Sequence, residues 1–322
     1  MGTAYGNDVS FTTTGSSTPD VYVAGYEEIG VNNSIAKIWK NGVAITLSNG
    51  YATSVFVSGT DVYAAGAEDD TAKIWKNGVV TSLSNGINSG AEASSVFVSG
   101  ADVYVAGSDE IAVPLHKEAR LWKNGTSVSL PSGTVSAEAN SVFISGADVY
   151  NAGYVYAIGA GAIATVWKNG VATSLSSPGT NSNSYSVFVS GPDVYVAGFE
   201  NSGGNDIATI WKNAVATHLT SGSNPAAAYS VYVSAGDVYI AGYENNGTKD
   251  VAKLWKNGVA TSLTNGANDG IVASVFVFGT DVYVAGAESN GIKDVAKFWK
   301  NGVATVLSNG TNHAYGYSIF VK

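Results

Sequence analysis

The phrase Trp-Lys-Asn occurs seven times, beginning at Trp39, Trp75, Trp122, Trp167, Trp211, Trp255 and Trp299, and six of the copies continue into Gly. A chain of near-copies builds no single irregular core. Each copy is one supersecondary unit that buries its apolar faces against its neighbours. The copy from Ser274 reads SVFVFGTDVYVAGAESNGIKDVAKFWKNGVATVLSNG. It holds four short apolar runs rich in Val, Tyr, Phe and Trp, which is strand composition. A Gly-x-Asp turn, a polar loop and an Asn-Gly pair divide them. No window keeps a 3.6-residue apolar period, so almost no helix is expected. The first two runs are nearly continuous in apolar residues and read as strands buried on both faces. The fourth alternates with small polar residues and reads as the least buried.

Four strands per unit and seven units predict an all-β fold, a seven-bladed β-propeller of four-stranded antiparallel blades running from inside to outside in chain order. A β-solenoid is the alternative, but its coils are shorter and need no two-residue hairpins. The first-strand phrase occurs eight times, from Val9–Gly15 to Ser318–Val321, and the other three occur seven times. The C-terminal Ser-Ile-Phe-Val matches the repeat better than the N-terminal copy. It is therefore expected to close the ring, leaving residues 1–15 as an extension and 16–322 as one propeller domain. The stretch SVFVSGPDVYVAG (Ser186–Gly198) and the Ile-Trp-Lys-Asn ending of the third strand resemble WD-repeat and YVTN-type blades, over Asp20 to Lys322. Lys40, Lys76 and their equivalents stand where the WD dipeptide has Asp, and no Gly-His opens a unit. The resemblance implies the fold and no activity, and it singles out no characterised family.

The Asn-Gly pairs suit type I′ hairpins, in which both central residues take positive φ. Ala214 replaces Gly in the fifth copy and is expected to strain its turn. An Asp after the first turn and a Lys before the Asn-Gly turn recur in all seven units, so both rings fall on one face and neutralise each other. The seven Trp residues are expected in the core between blades. On the opposite, loop-bearing face, an acid past the second strand is expected to pair with a base in the third: Glu27 with Lys37, Glu68 with Lys73, Asp109 with Arg120, Glu244 with Lys253, Glu288 with Lys297. Glu200 faces Thr209 and is left without a partner.

Function classes narrow by exclusion. With 25 acidic against 16 basic residues, the net charge of −9 disfavours nucleic acid and anionic membranes as partners. No apolar run reaches the ~20 residues of a membrane-spanning helix. Met1 to Gly15 has no basic start or apolar core of a signal peptide. Few charges and much Ser, Thr, Asn and Gly lean the reading toward an extracellular protein, and a monomer is expected. Without cysteine there is no disulfide, thiolate site or cysteine nucleophile. His116, His218 and His313 fall in three different units without metal-ligand spacing. The tunnel mouth offers serines (Ser54, Ser95, Ser141, Ser186, Ser230, Ser274, Ser318), and there is neither a nucleophile elbow nor a phosphate loop. No metal, no cofactor and no enzyme activity are expected. What remains is a binding propeller using the loop face, whose aromatic and acidic residues Tyr26, Glu27, Tyr185, Phe199, Glu200, Tyr229, Tyr243 and Glu244 form the candidate site. A lectin-like protein with repeated shallow glycan sites is one reading. A structural or protein-interaction scaffold is the other.

Overall fold

The computed structural model describes residues 18–30, 33–84, 90–112, 115–131, 136–159, 161–201 and 203–322. The expected extension at residues 1–15 lies outside them. The described residues form seven four-stranded antiparallel sheets. Blade two shows the plan: Tyr51–Ser58 innermost, then Asp61–Glu68, Thr71–Lys76 and Val79–Ser82 at the rim. Five further blades repeat it in chain order. In blade one the innermost strand is Ala314–Val321, hydrogen-bonded to Val21–Gly30. The chain's last strand thus closes the ring, as the better-matching copy predicts.

The blades hold together through faces that the repeat makes apolar on both sides. The cluster between blades one and two joins Tyr22, Ala24 and Ile38 to Val55, Val57 and Trp75. All seven Trp side chains are fully buried in such clusters. The outer strands are largely exposed, Val215–His218 at every position.

One face is set by a unit repeated seven times. Asn41 and Gly42 take φ of 51° and 83°, and the other Asn-Gly turns match them. The Asn41 carboxamide Oδ1 accepts the Val21 N–H at 2.8 Å, and its Nδ2 donates to Asp20 Oδ1 at 2.7 Å. Lys40 Nζ pairs with Asp20 Oδ2 at 2.8 Å and lies 5.2 Å from the centre of the Tyr22 ring. The remaining Asp–Lys pairs close at 2.7–2.8 Å. Each Asp and Lys of the seven repeated pairs is matched within its own blade. Ala214 takes φ of 65°, the left-handed conformation expected to strain it.

Two rings surround the axis. Each first-strand serine accepts a backbone N–H from the next blade at 3.1–3.3 Å, and the seven bonds run round the circle, Ser318 to Val55 included. These hydroxyls tie blades together; they are not a free set at the tunnel mouth. Two residues further along, Phe56, Phe97, Phe143, Phe188, Tyr232, Phe276 and Phe320 form a closed ring with centroids 4.7–5.2 Å apart. Tilted contacts at this distance are favourable for aromatic quadrupoles. The ring encircles the axis.

Candidate functional site

Above the aromatic ring, on the loop-bearing face, the axis opens into a funnel of about 900 Å³. Residues of all seven blades line it. Two positions of the first strand supply most of the wall: the residue just before the serine (Thr53, Ser94, Asn140, Tyr185, Tyr229, Ala273, Tyr317) and the residue two places earlier (Tyr51, Glu92, Glu138, Asn183, Ala227, Ile271, Tyr315). All but Asn183 and Ala227 line the cavity.

A β-bulge aims these side chains inward. In every blade the register between first and second strands shifts just before the serine. An extra residue at that point bends the strand and re-aims its neighbours. The bulge presses a carbonyl onto the glycine that follows Val-Ala or its equivalent in the second strand. A Cβ on Gly66 would sit 2.0 Å from the Tyr51 carbonyl oxygen, and one on Gly198 2.0 Å from that of Asn183. Only glycine admits that approach.

The funnel has two chemistries. Tyr26, Tyr51, Tyr185, Tyr229, Tyr315 and Tyr317 form aromatic walls. Tyr26, Tyr315 and Tyr317 pack together with centroids 5.5–6.1 Å apart. Tyr315 also donates to Asp294, whose Oδ2 lies 2.8 Å from His313 Nδ1, so a half-buried carboxylate fixes the ring. Tyr185 and Tyr229 sit 5.0 Å apart, backed by Phe199 and Tyr243. Burial raises Tyr185, Tyr229, Tyr315 and Tyr317 well above the ordinary phenol range, so these hydroxyls stay protonated. The other chemistry is acidic and amide: Glu92 with Ser94 in blade three, Glu138 with Asn140 in blade four, and Glu28 from blade one. Lys117 Nζ pairs with Glu138 at 2.6 Å. Glu92 is raised above the ordinary carboxylate value, first by burial and then by the charge of Glu138.

The candidate residues divide accordingly. Tyr26, Tyr185 and Tyr229 line the funnel, and Phe199 and Tyr243 stand directly behind two of them. The aromatics therefore gather around one central cavity. Glu27 and Glu244 are held by Lys37 and by Lys253, the latter at 3.5 Å. Glu200 was expected to be unpaired, and this is corrected: His218 Nε2, on the outer strand, lies 2.9 Å from its Oε2. The Asp109–Arg120 pairing is also corrected, because Arg120 reaches Glu118 at 2.7 Å. None of Glu27, Glu200 and Glu244 lines the funnel. Glu92 and Glu138 were missed because they sit in strands, at a column visible only when the seven copies are aligned on the serine.

No protein-family model matches the sequence, and no curated protein does. Solved structures do match it in shape. A puromycin-hydrolysing peptidase of Mycobacterium tuberculosis aligns with a TM-score of 0.60 at 10% identity, over 90% of this chain and 54% of that one. The acylaminoacyl peptidase of Pyrococcus horikoshii gives 0.57 at 12%, over 91% and 52%. The β-propeller domain of the Trilobed protease from Pyrococcus furiosus, described as having an open velcro topology, gives 0.57 at 10%, over 92% and 98%. At these identities the likeness is one of fold. The chain spans about half the length of the first two peptidases. The expectation that the protein is no enzyme is corrected by these matches: similar propellers belong to peptidase chains, so the reading drawn from the sequence does not place it outside enzymes.

Proposed function

We propose that the protein is a binding propeller that takes its ligand into the axial funnel, and that the ligand is a peptide segment. One observation carries this. The repeat keeps its turn Asp, Lys and Asn, its Trp, its bulge Gly and its serine in every blade, yet the funnel positions differ from blade to blade. A repeat whose framework is constant while its cavity lining changes presents a shaped, asymmetric site at a fixed place. The cavity is large enough for a chain end of several residues. The likeness to propellers of peptidases favours a peptide, either in this chain alone or as part of a larger peptidase. A glycan is the second reading, favoured by the Tyr, Asn and Glu lining, since sugars stack on aromatic rings and donate to carboxylates.

Arrays of peptides and of glycans, probed with the native protein, Tyr229→Ala, Tyr317→Ala and the turn-face variant Lys168→Ala, test the proposal. Capture of peptides that both tyrosine variants lose and Lys168→Ala keeps is the expected result. Capture of glycans alone with the same pattern selects the second reading. Loss with Lys168→Ala and retention in both tyrosine variants overturns the funnel as the site.

A further inference from the structure

We propose that the funnel selects its ligand through a positively charged group, an ammonium or guanidinium, seated between the carboxylates of Glu92 and Glu138 and the tyrosine wall. This rests on the funnel being the binding site. Glu92 and Glu138 occupy the same first-strand position in neighbouring blades, where the other blades carry Tyr51, Asn183, Ala227, Ile271 and Tyr315. The fold accepts neutral residues there, so neither carboxylate is demanded by the blade. The nearby cation, Lys117, is already paired with Glu138. With Glu28 the lining holds more acid than base, inside a chain of net charge −9. A concave site of one sign with low-dielectric walls concentrates ions of the other sign.

The rest of the wall suits the same ligand. Tyrosine faces attract ammonium and guanidinium groups through the ring quadrupole. The phenols are held in their neutral form by burial, so they repel neither the cation nor the carboxylates. Among the described residues no three metal-ligating side chains come together, and an aromatic wall fits an organic cation better than a bare metal ion. Keeping the half-buried Glu92 beside Glu138 works against the stability of the empty fold, since burial and the Glu138 charge disfavour its ionised form by more than Lys117 favours it. An incoming cation reverses that. Binding sites commonly hold such stored cost.

Calorimetric titration with three probes tests the inference: a tetralysine blocked at both ends, the same peptide acetylated on every side chain, and tetra-alanine with a free N-terminus. The blocked tetralysine is expected to bind, with roughly tenfold or greater loss on side-chain acetylation and in Glu92→Gln. Binding of tetra-alanine as well assigns the N-terminal ammonium as a second source of the same charge. Glu92→Gln is also expected to raise the melting temperature at neutral pH while it weakens binding. Equal binding of the lysine and acetyl-lysine peptides, no binding of tetralysine, or lost binding together with a lowered melting temperature overturns the inference. If that happens while Tyr229→Ala still abolishes array capture, the funnel stands and only its charge preference falls. If Tyr229→Ala changes nothing, the funnel reading falls as well.

Discussion

Asn151 is a buried amide among apolar neighbours, and replacing it tests the packing argument directly. It lies in the second strand of blade four, opposite Val142 and Trp167, and is fully buried. The other blades place Val23, Ala64, Val105, Val196, Ile240 and Val284 there. Neither its Oδ1 nor its Nδ2 meets a hydrogen-bond partner. A buried polar group left unpaired costs about 1–3 kcal/mol. Valine has nearly the same volume, suits a strand and opens no cavity. Asn151→Val is therefore expected to stabilise by about 2 kcal/mol, since the two amide atoms share one desolvated site. For a domain of this size that is a rise of roughly 4 °C in melting temperature. Urea unfolding followed by tryptophan fluorescence, with an unchanged m-value, measures it. The reciprocal change Val196→Asn in blade five is expected to cost a similar amount. A neutral or destabilising Asn151→Val refutes the reasoning, because the amide would then have a partner whose loss offsets the gain.

Four further outcomes follow from the same structure. Ala214→Gly relieves the positive φ in the blade-five turn and is expected to add about 0.5–1 kcal/mol, read as a raised melting temperature; a fall contradicts the turn geometry. Gly198→Ala places a Cβ 2.0 Å from the Asn183 carbonyl oxygen and is expected to destabilise by roughly 3 kcal/mol or more, with loss of soluble protein as the simplest sign. Removal of residues 314–322 takes away the inner strand of blade one and is expected to abolish cooperative unfolding, as seen by calorimetry. The acid profile has two signs. Asp20 and its six equivalents are held below the ordinary 3.8, first by the Lys hydrogen bond and then by that of Asn, so the stability they contribute is lost as pH falls below 3.8. Glu92 is raised above 4.5, so its contribution grows as pH falls toward 4.5. Thermal melts are expected to stay level or rise slightly from neutral pH to about 4.5 and then drop steeply; a steady decline from neutral pH contradicts this.

Much of this architecture was legible because repetition removes ambiguity. Seven copies of one four-run unit admit few topologies, and the eighth copy of the first strand identifies the closing segment. The Asn-Gly turns and the Asp and Lys rings followed from turn chemistry alone. The axial features did not. A first strand apolar on both faces gives no sign of which residue points to the axis, so Phe56 and its equivalents read as core. The serine beside them read as a free hydroxyl because its acceptor role depends on the neighbouring blade. Glu200 was compared only with the third strand, whereas His218 reaches it from the outer one. The bulge glycine carried the missing clue. A glycine inside an otherwise apolar strand marks a close backbone approach, and that approach turns the preceding first-strand residues into the funnel.

The most direct test of the account is a crystal structure of the protein with a peptide selected by array capture. The account places the peptide in the funnel above the aromatic ring, in contact with Tyr229 and Tyr317, with its charged group beside Glu92. Density for the peptide on the Asp–Lys turn face or along the outer strands, with the funnel empty, would contradict it.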